Sequence, residues 1–432
     1  MISTAFSVLF VTFLLLTLVL QFWLGSRHIR HVLQHRNAVP AEFAERIPLA
    51  AHQKAADYTI AKTKLGMQML LLNAIVLIGF TLFGGLQWLA VSLVKLSGPG
   101  MLYQLSLLIA FTLITSLIDL PFDYYKQFVL EEKFGFNKMT KGLFFGDMLK
   151  STLLGAVIGL PLIWVMLTLM EKSGALWWLY AWIFWSGFQL LMMVIFPTWI
   201  APLFNKFTPL EDDSLRTRIE GLMLRVGFAS KGLFVMDGSK RSAHGNAYFS
   251  GFGASKRIVF FDTLLSRLSP AEIEAVLAHE LGHFKLKHIV KRICVMFIIS
   301  LGFLALLGYL KQQVWFYTGL GVDPMLLAAN DAMALILFML SLPIFTFILS
   351  PLSSITSRKH EFEADAFAAK HSSAENLVAA LVKLYEDNAS TLTPDPLHSA
   401  FYDSHPPASV RIGKLQLSAT SATSATPSGA IA

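Results

Sequence analysis

At 432 residues, 55% hydrophobic and only 15% charged, the chain is too apolar for an ordinary water-soluble protein, in which about 45–50% of residues are apolar and about 25% charged. Its net charge of +7 could suit a nucleic-acid binder, but the cations lie between apolar runs, where a lipid bilayer accounts for them, so no nucleic-acid partner is expected. A single cysteine, Cys294, excludes an internal disulfide and a thiolate metal site, so any metal must rest on His, Asp or Glu.

Seven apolar stretches fall near 4–24, 65–94, 101–121, 152–170, 175–200, 293–310 and 332–350. Each is long enough to cross about 30 Å of hydrocarbon, which takes roughly 20 helical residues. The first has no basic segment before it and no small-residue cleavage site after it. It reads as a retained anchor rather than a signal peptide. The second is long for one span and is expected to tilt or protrude. Of the 35 Lys and Arg residues, all but Lys95, Lys172 and Lys311 fall in loops 25–64, 122–151 and 201–292 or after residue 351. That alternation supports seven spans with the basic loops in the cytoplasm. The predicted organisation is a five-span membrane region (1–200), a long polar segment (201–292), spans six and seven (293–350), a second polar segment (351–415) and a small-polar, disordered tail (416–432).

Within the polar segments, 211–227 reads as an amphipathic helix with an acidic first turn and a glycine stop. Short β-type runs between 231 and 262 predict a small sheet or hairpin. Ser269-Pro270-Ala271-Glu272 then opens a helix, with Ser269 as N-cap and Glu272 closing a capping box. That helix carries AHELGH (278–283). His279 and His283, four residues apart, project from one face and can hold one metal. Glu280 lies about 100° round, beside the metal rather than on it, where a general base belongs. Gly282 leaves the adjoining surface open to another backbone. His288, counted along the same helix, falls on a different face and, beside Lys285 and Lys287, reads as an interfacial cation.

A catalytic zinc takes three protein ligands and keeps one position open. Candidates for the third are Glu361, Glu363 and Asp365, after the seventh span. Glu361 and Asp365 share a helix face, whereas Glu363 points elsewhere, toward solvent. One of the pair would ligate and the other orient a zinc histidine; spacing leaves open which is which. Alone, the segment reads more simply as a solvated charged helix. Likewise His405, before two prolines, and Asn246, after Gly245, are by themselves turn residues, and Arg411 a surface cation.

The segments FVLEEKFGFNKMT (128–140), PLFNKFTPLED (202–212), RSAHGNAYFSGF (241–252), KRIVFFDTLL (256–265), SRKHEFEADAFA (357–368) and SHPPASVRI (404–412) stand in one order around HELGH. In these the chain resembles the type I CAAX prenyl proteases over about residues 10–415, and more distantly a bacterial membrane heat-shock metalloprotease. The resemblance implies a mainly α integral membrane protein whose seven transmembrane helices enclose a chamber, with a zincin-like catalytic part. It implies one zinc per chain on His279, His283 and Glu361, with Asp365 as the orienting partner. Glu280 and His405 would be catalytic, and Asn246 and Arg411 would bind substrate. The implied reaction removes the C-terminal tripeptide after a prenylated cysteine. The protein is expected to be a monomer in a bacterial inner membrane, or in the endoplasmic reticulum if eukaryotic, and the basic loops place its site toward the cytoplasm. The alternatives are quality-control proteolysis of misfolded membrane proteins and, distantly, a seven-helix transporter with a structural metal.

Overall fold

The computed structural model describes residues 1–230, 232–250 and 257–424. Seven helical segments among these are long and apolar enough to cross a membrane. The first five are built on α1 (Ile2–His35), α2 (Leu49–Phe80), α4 (Met101–Tyr125), α5 (Lys141–Lys172) and α6 (Trp177–Ile195). The last two are α10 (His288–Leu310) and α12 (Asp331–Thr346). The stretch expected as one long second span is broken. α2 stops at Phe80, a tight turn follows, and a separate helix, α3 (Gly85–Ser97), packs against α4. Gly84 takes the left-handed conformation (φ +75°), and a Cβ on Gly85 would lie 2.7 Å from the Gly79 carbonyl oxygen. The glycine pair is what lets the backbone fold this tightly.

The spans pack through a main cluster that includes Phe10, Tyr103, Leu107, Leu167, Phe316 and Leu337, and α1 meets α2 through a smaller one at Val32, Ala56 and Ile60. Met148 through Leu153 are all exposed, which is more than a full turn of helix, so no side of α5 is packed at that level. Such a helix faces lipid outward and open space inward, as the wall of a chamber does.

Outside the spans, the sheet has the order β1-β2-β4-β3. The strands are β1 (Phe207–Pro209), β2 (Leu233–Met236), β3 (Ala247–Ser250) and β4 (Arg257–Phe261). β2 and β4 run parallel and the other pairs antiparallel, so this is a mixed sheet, with a strand at 207–209 outside the predicted region. Around it lie α7 (Asp213–Arg225), the short α8 (Asp262–Leu265), α9 (Pro270–Lys285), α13 (Ser350–His371), α14 (Ala374–Asp387), α15 (Pro396–Tyr402) and α16 (Ala408–Ser424), while α11 (Val314–Thr318) joins the last two spans. One core, with Ile219, Leu222, Phe260, Leu281, Leu377 and Ile412, joins sheet and helices. α16 carries the chain in helix through Ser424, into the segment expected to be a disordered tail; residues 425–432 of that segment lie outside the described residues.

Two short junctions position the site. α9 meets α10 across only Leu286 and Lys287, and α12 meets α13 across Phe347–Leu349. The two motif helices are thus near-continuous with spans six and seven, and the hairpin of those spans brings them together.

Candidate active site

α9 starts as expected. The Ser269 Oγ accepts from the Glu272 backbone N–H, and the Glu272 carboxylate accepts from the Ser269 N–H at 2.7 Å. Ile273, Leu277 and Leu281 are buried in the core, which turns the histidines toward α13. A Cβ on Gly282 would lie 3.1 Å from both the Ala364 Cα and the Phe367 Cβ. Glycine here sets how closely the two helices approach. Gly282→Ala overpacks the contact, which typically costs about 1–3 kcal/mol. The expected result is a lower apparent melting temperature and weaker metal retention, read by thermal unfolding and metal analysis.

Across that contact, His279 Nε2 lies 3.2 Å from His283 Nε2 and 3.5 Å from a Glu361 carboxylate oxygen, and His283 Nε2 lies 3.3 Å from the other. Bonds of 2.0–2.1 Å in a tetrahedron require ligand atoms roughly 3.3 Å apart, so the three groups have the spacing of a zinc centre. Glu361 is 4% exposed, and its buried Oε2 has no hydrogen-bond partner. A buried carboxylate oxygen is not left so without cost, and a metal ion would satisfy it. The residues therefore fit the group their types suggest.

Asp365 Oδ1 lies 2.9 Å from His279 Nδ1. A proton held there leaves the Nε2 lone pair facing the centre. Burial disfavours charge on His279, but hydrogen bonds to Asp365 and Glu361 outweigh it and raise the pKa to about 9, so the site is an electronegative seat for a cation. Arg411 is 5% exposed and donates through Nε and Nη2 to Asp365 at 2.9 and 2.6 Å. It is a buried partner of the Asp365 carboxylate, not the surface cation its residue type suggests alone. Its Nη1 is 3.6 Å from Glu361.

Glu280, His405, Asn246 and Arg411 all line one cavity of about 750 Å³, with Glu361 and His279 in its wall. His405 Nε2 is 3.5 Å from Glu361. Its side chain is 61% accessible and lines the cavity, and partial desolvation by the surrounding walls is the main effect that lowers its pKa. Asn246 immediately precedes β3, an edge of the sheet among the described residues, and its side chain accepts from the Ala247 N–H at 2.8 Å.

Two expectations are corrected. His288 is not an interfacial cation: it is 2% exposed, its Nδ1 is 3.1 Å from His283 Nδ1, and its Nε2 is 2.8 Å from Glu363. Glu363 is accordingly engaged with His288 rather than simply directed to solvent.

Other residues at the site had no motif to announce them. Tyr385 of α14 is half-buried, and its hydroxyl pKa is raised by burial. Asn388 accepts from the Gly245 N–H at 3.2 Å and pairs with His244 at 3.1 Å. His244 in turn stacks on Phe136 and faces Glu131, which accepts from the Tyr58 hydroxyl at 2.6 Å. This network ties the approach to β3 to α2 and to the turn after α4. The block 128–140 that contributed to the resemblance therefore supports the strand at the cavity.

Comparison with known proteins agrees with this architecture. Residues 28–206 match the CAAX prenyl protease N-terminal family, described as five membrane helices, and residues 209–419 match peptidase family M48. The chain is 38% identical over 407 residues to CAAX prenyl protease 1 of Saccharomyces cerevisiae, spanning 87% of this chain and 88% of that protein. It is 42% identical over 311 residues to CAAX prenyl protease 1 homolog of Arabidopsis thaliana, spanning 71% and 72%. The crystal structure of S. mikatae Ste24p superposes with a TM-score of 0.86 at 34% identity, over 95% of this chain and 98% of that one. A membrane-embedded bundle, a HELGH helix and a matching carboxylate helix, continuous with relatives of this identity along nearly the whole chain, leave the transporter reading without support: the chain belongs to the M48 zinc metallopeptidases of the CAAX prenyl protease type.

Proposed function

We propose that this protein removes the C-terminal tripeptide after a prenylated cysteine, at the cytoplasmic face of its membrane. The observation that carries the reading is the three-atom centre of His279, His283 and Glu361, opening with Glu280 and His405 onto one cavity next to the spans. One zinc ion held there supplies Lewis-acid polarisation of the scissile carbonyl. Glu280 takes a proton from the attacking water and passes it to the leaving amine. His405 donates a hydrogen bond to the oxygen on which charge develops. The edge of β3 takes the peptide as an added strand, with Asn246 at the point of entry. Arg411 acts chiefly by fixing Asp365, and its Nη1 edge is the part left for substrate. The excess of Lys and Arg on the site's side of the spans supports the cytoplasmic orientation.

The test is cleavage by the purified protein of a farnesylated C-terminal peptide and its unprenylated counterpart. Chelator-sensitive release of the tripeptide from the farnesylated peptide is expected. His405→Ala should lower kcat by about 10²–10³, the usual loss of one oxyanion donor, with zinc content unchanged. Equal cleavage of both peptides would refute the prenyl requirement, and cleavage of neither would refute the substrate assignment.

A further inference from the structure

Apart from the catalytic trio, the described residues hold one other group of three metal-ligating side chains that converge: His288, His360 and Glu363. Lys287, in the left-handed conformation (φ +57°), turns the chain so that α10 begins with His288 beside α13. The His288 and His360 rings are stacked, with centroids 4.0 Å apart and planes 12° from parallel, and His288 Nε2 is 2.8 Å from Glu363. We propose that these residues form a second divalent-metal site, for zinc or another ion that prefers imidazole, and that filling it weakens the catalytic centre.

Two imidazoles and a carboxylate are the donor set zinc takes. One ligand atom from each residue lies within 4.8 Å of the others, against roughly 3.3 Å at a tetrahedral centre. Closing that gap requires the half-buried His360 ring to turn out of its stack on the buried His288. Lys359, 4.0 Å from Glu363, has a side chain 75% exposed and is free to leave.

The coupling, unlike the binding, rests on His283 being a catalytic ligand. An imidazole ligated through Nε2 keeps its proton on Nδ1. With His283 Nε2 at the catalytic centre, its Nδ1–H donates to His288 Nδ1, 3.1 Å away, and His288 carries its own proton on Nε2, toward Glu363. An ion at His288 Nε2 displaces that proton. If the proton moves to Nδ1, two N–H groups face each other; if it leaves to solvent, the ring becomes an anion. Either outcome costs energy or turns His283, and outer-shell partners of this kind are worth about 10–100-fold in metal affinity. By linkage the catalytic ion weakens the second site by the same factor.

The experiment equilibrates zinc-loaded full-length protein with buffered free zinc over a graded range and measures bound metal and cleavage in the same samples. Expected are a second equivalent that binds more weakly than the first, and inhibition of cleavage as it fills. His360→Phe and Glu363→Gln should each keep the first equivalent and basal cleavage but lose the second equivalent and the inhibition. No second equivalent in the wild type, or one retained by both variants, overturns the site. A second equivalent without inhibition overturns the coupling. Bound metal is read without substrate, so failure here is distinct from failure of the peptidase reading.

Discussion

Glu280→Gln is expected to leave a protein that folds and holds its catalytic zinc but has lost about 10²–10⁴-fold in kcat, the range associated with removing a general base. The substitution keeps the size and polarity of a half-buried side chain on α9 and removes only its basicity. Glu280 follows the proposed ligand His279 by one residue, so it leaves the helix about 100° from the direction of that imidazole and lines the cavity with His405. It can serve a water at the centre without joining the ligand set, whose three atoms are already spaced for the metal. Metal analysis and single-turnover cleavage on the same preparation check both halves. Loss of zinc would make Glu280 a ligand, and near-normal turnover would move the base elsewhere.

The spans were legible in the sequence because hydrocarbon thickness fixes their length and charge fixes their ends. The break after Phe80 was not, because the apolar run continues through the turn; what holds α3 in place is distant, including the Gln87 side chain accepting from the Asp323 N–H at 2.8 Å. The face of α9 was legible from its capping box and four-residue spacing. His288 was misplaced because its position was counted along an unbroken helix. α9 ends at Lys285, and the left-handed Lys287 swings His288 back onto His283. The choice between Glu361 and Asp365 could not come from spacing, since both share one face. The proposed assignment rests on which carboxylate meets the two Nε2 atoms and which meets Nδ1 of His279, and that depends on how α9 and α13 pack around Gly282. Asn388 and Tyr385 carried no local signal: their role exists only where α14 closes the cavity.

Glu361→Ala should abolish zinc binding at the catalytic centre, and Glu363→Ala should not, although the two are neighbours on α13. Removing Glu361 leaves two imidazoles where a zinc site takes three protein ligands. Removing Glu363 takes away a partner of His288 that touches none of the three ligand atoms. Asp365→Ala separates ligation from orientation. It should keep zinc but weaken it by about 10–100-fold, as loss of an outer-shell partner does. It should also destabilise the protein, because Arg411, 5% exposed, is left as a buried charge without its carboxylate, a change that typically costs about 3–5 kcal/mol. Asp365→Asn, which retains an acceptor for both neighbours, should recover part of each loss. Metal content after dialysis against a graded chelator, together with thermal unfolding, ranks the variants. Zinc retained by Glu361→Ala at wild-type affinity, or lost outright by Glu363→Ala, would reassign the third ligand. The expected order Glu361, then Asp365, then Glu363 follows from what each carboxylate touches: the first meets both Nε2 atoms, the next meets Nδ1 of His279, and the last meets His288, a ring one step further out.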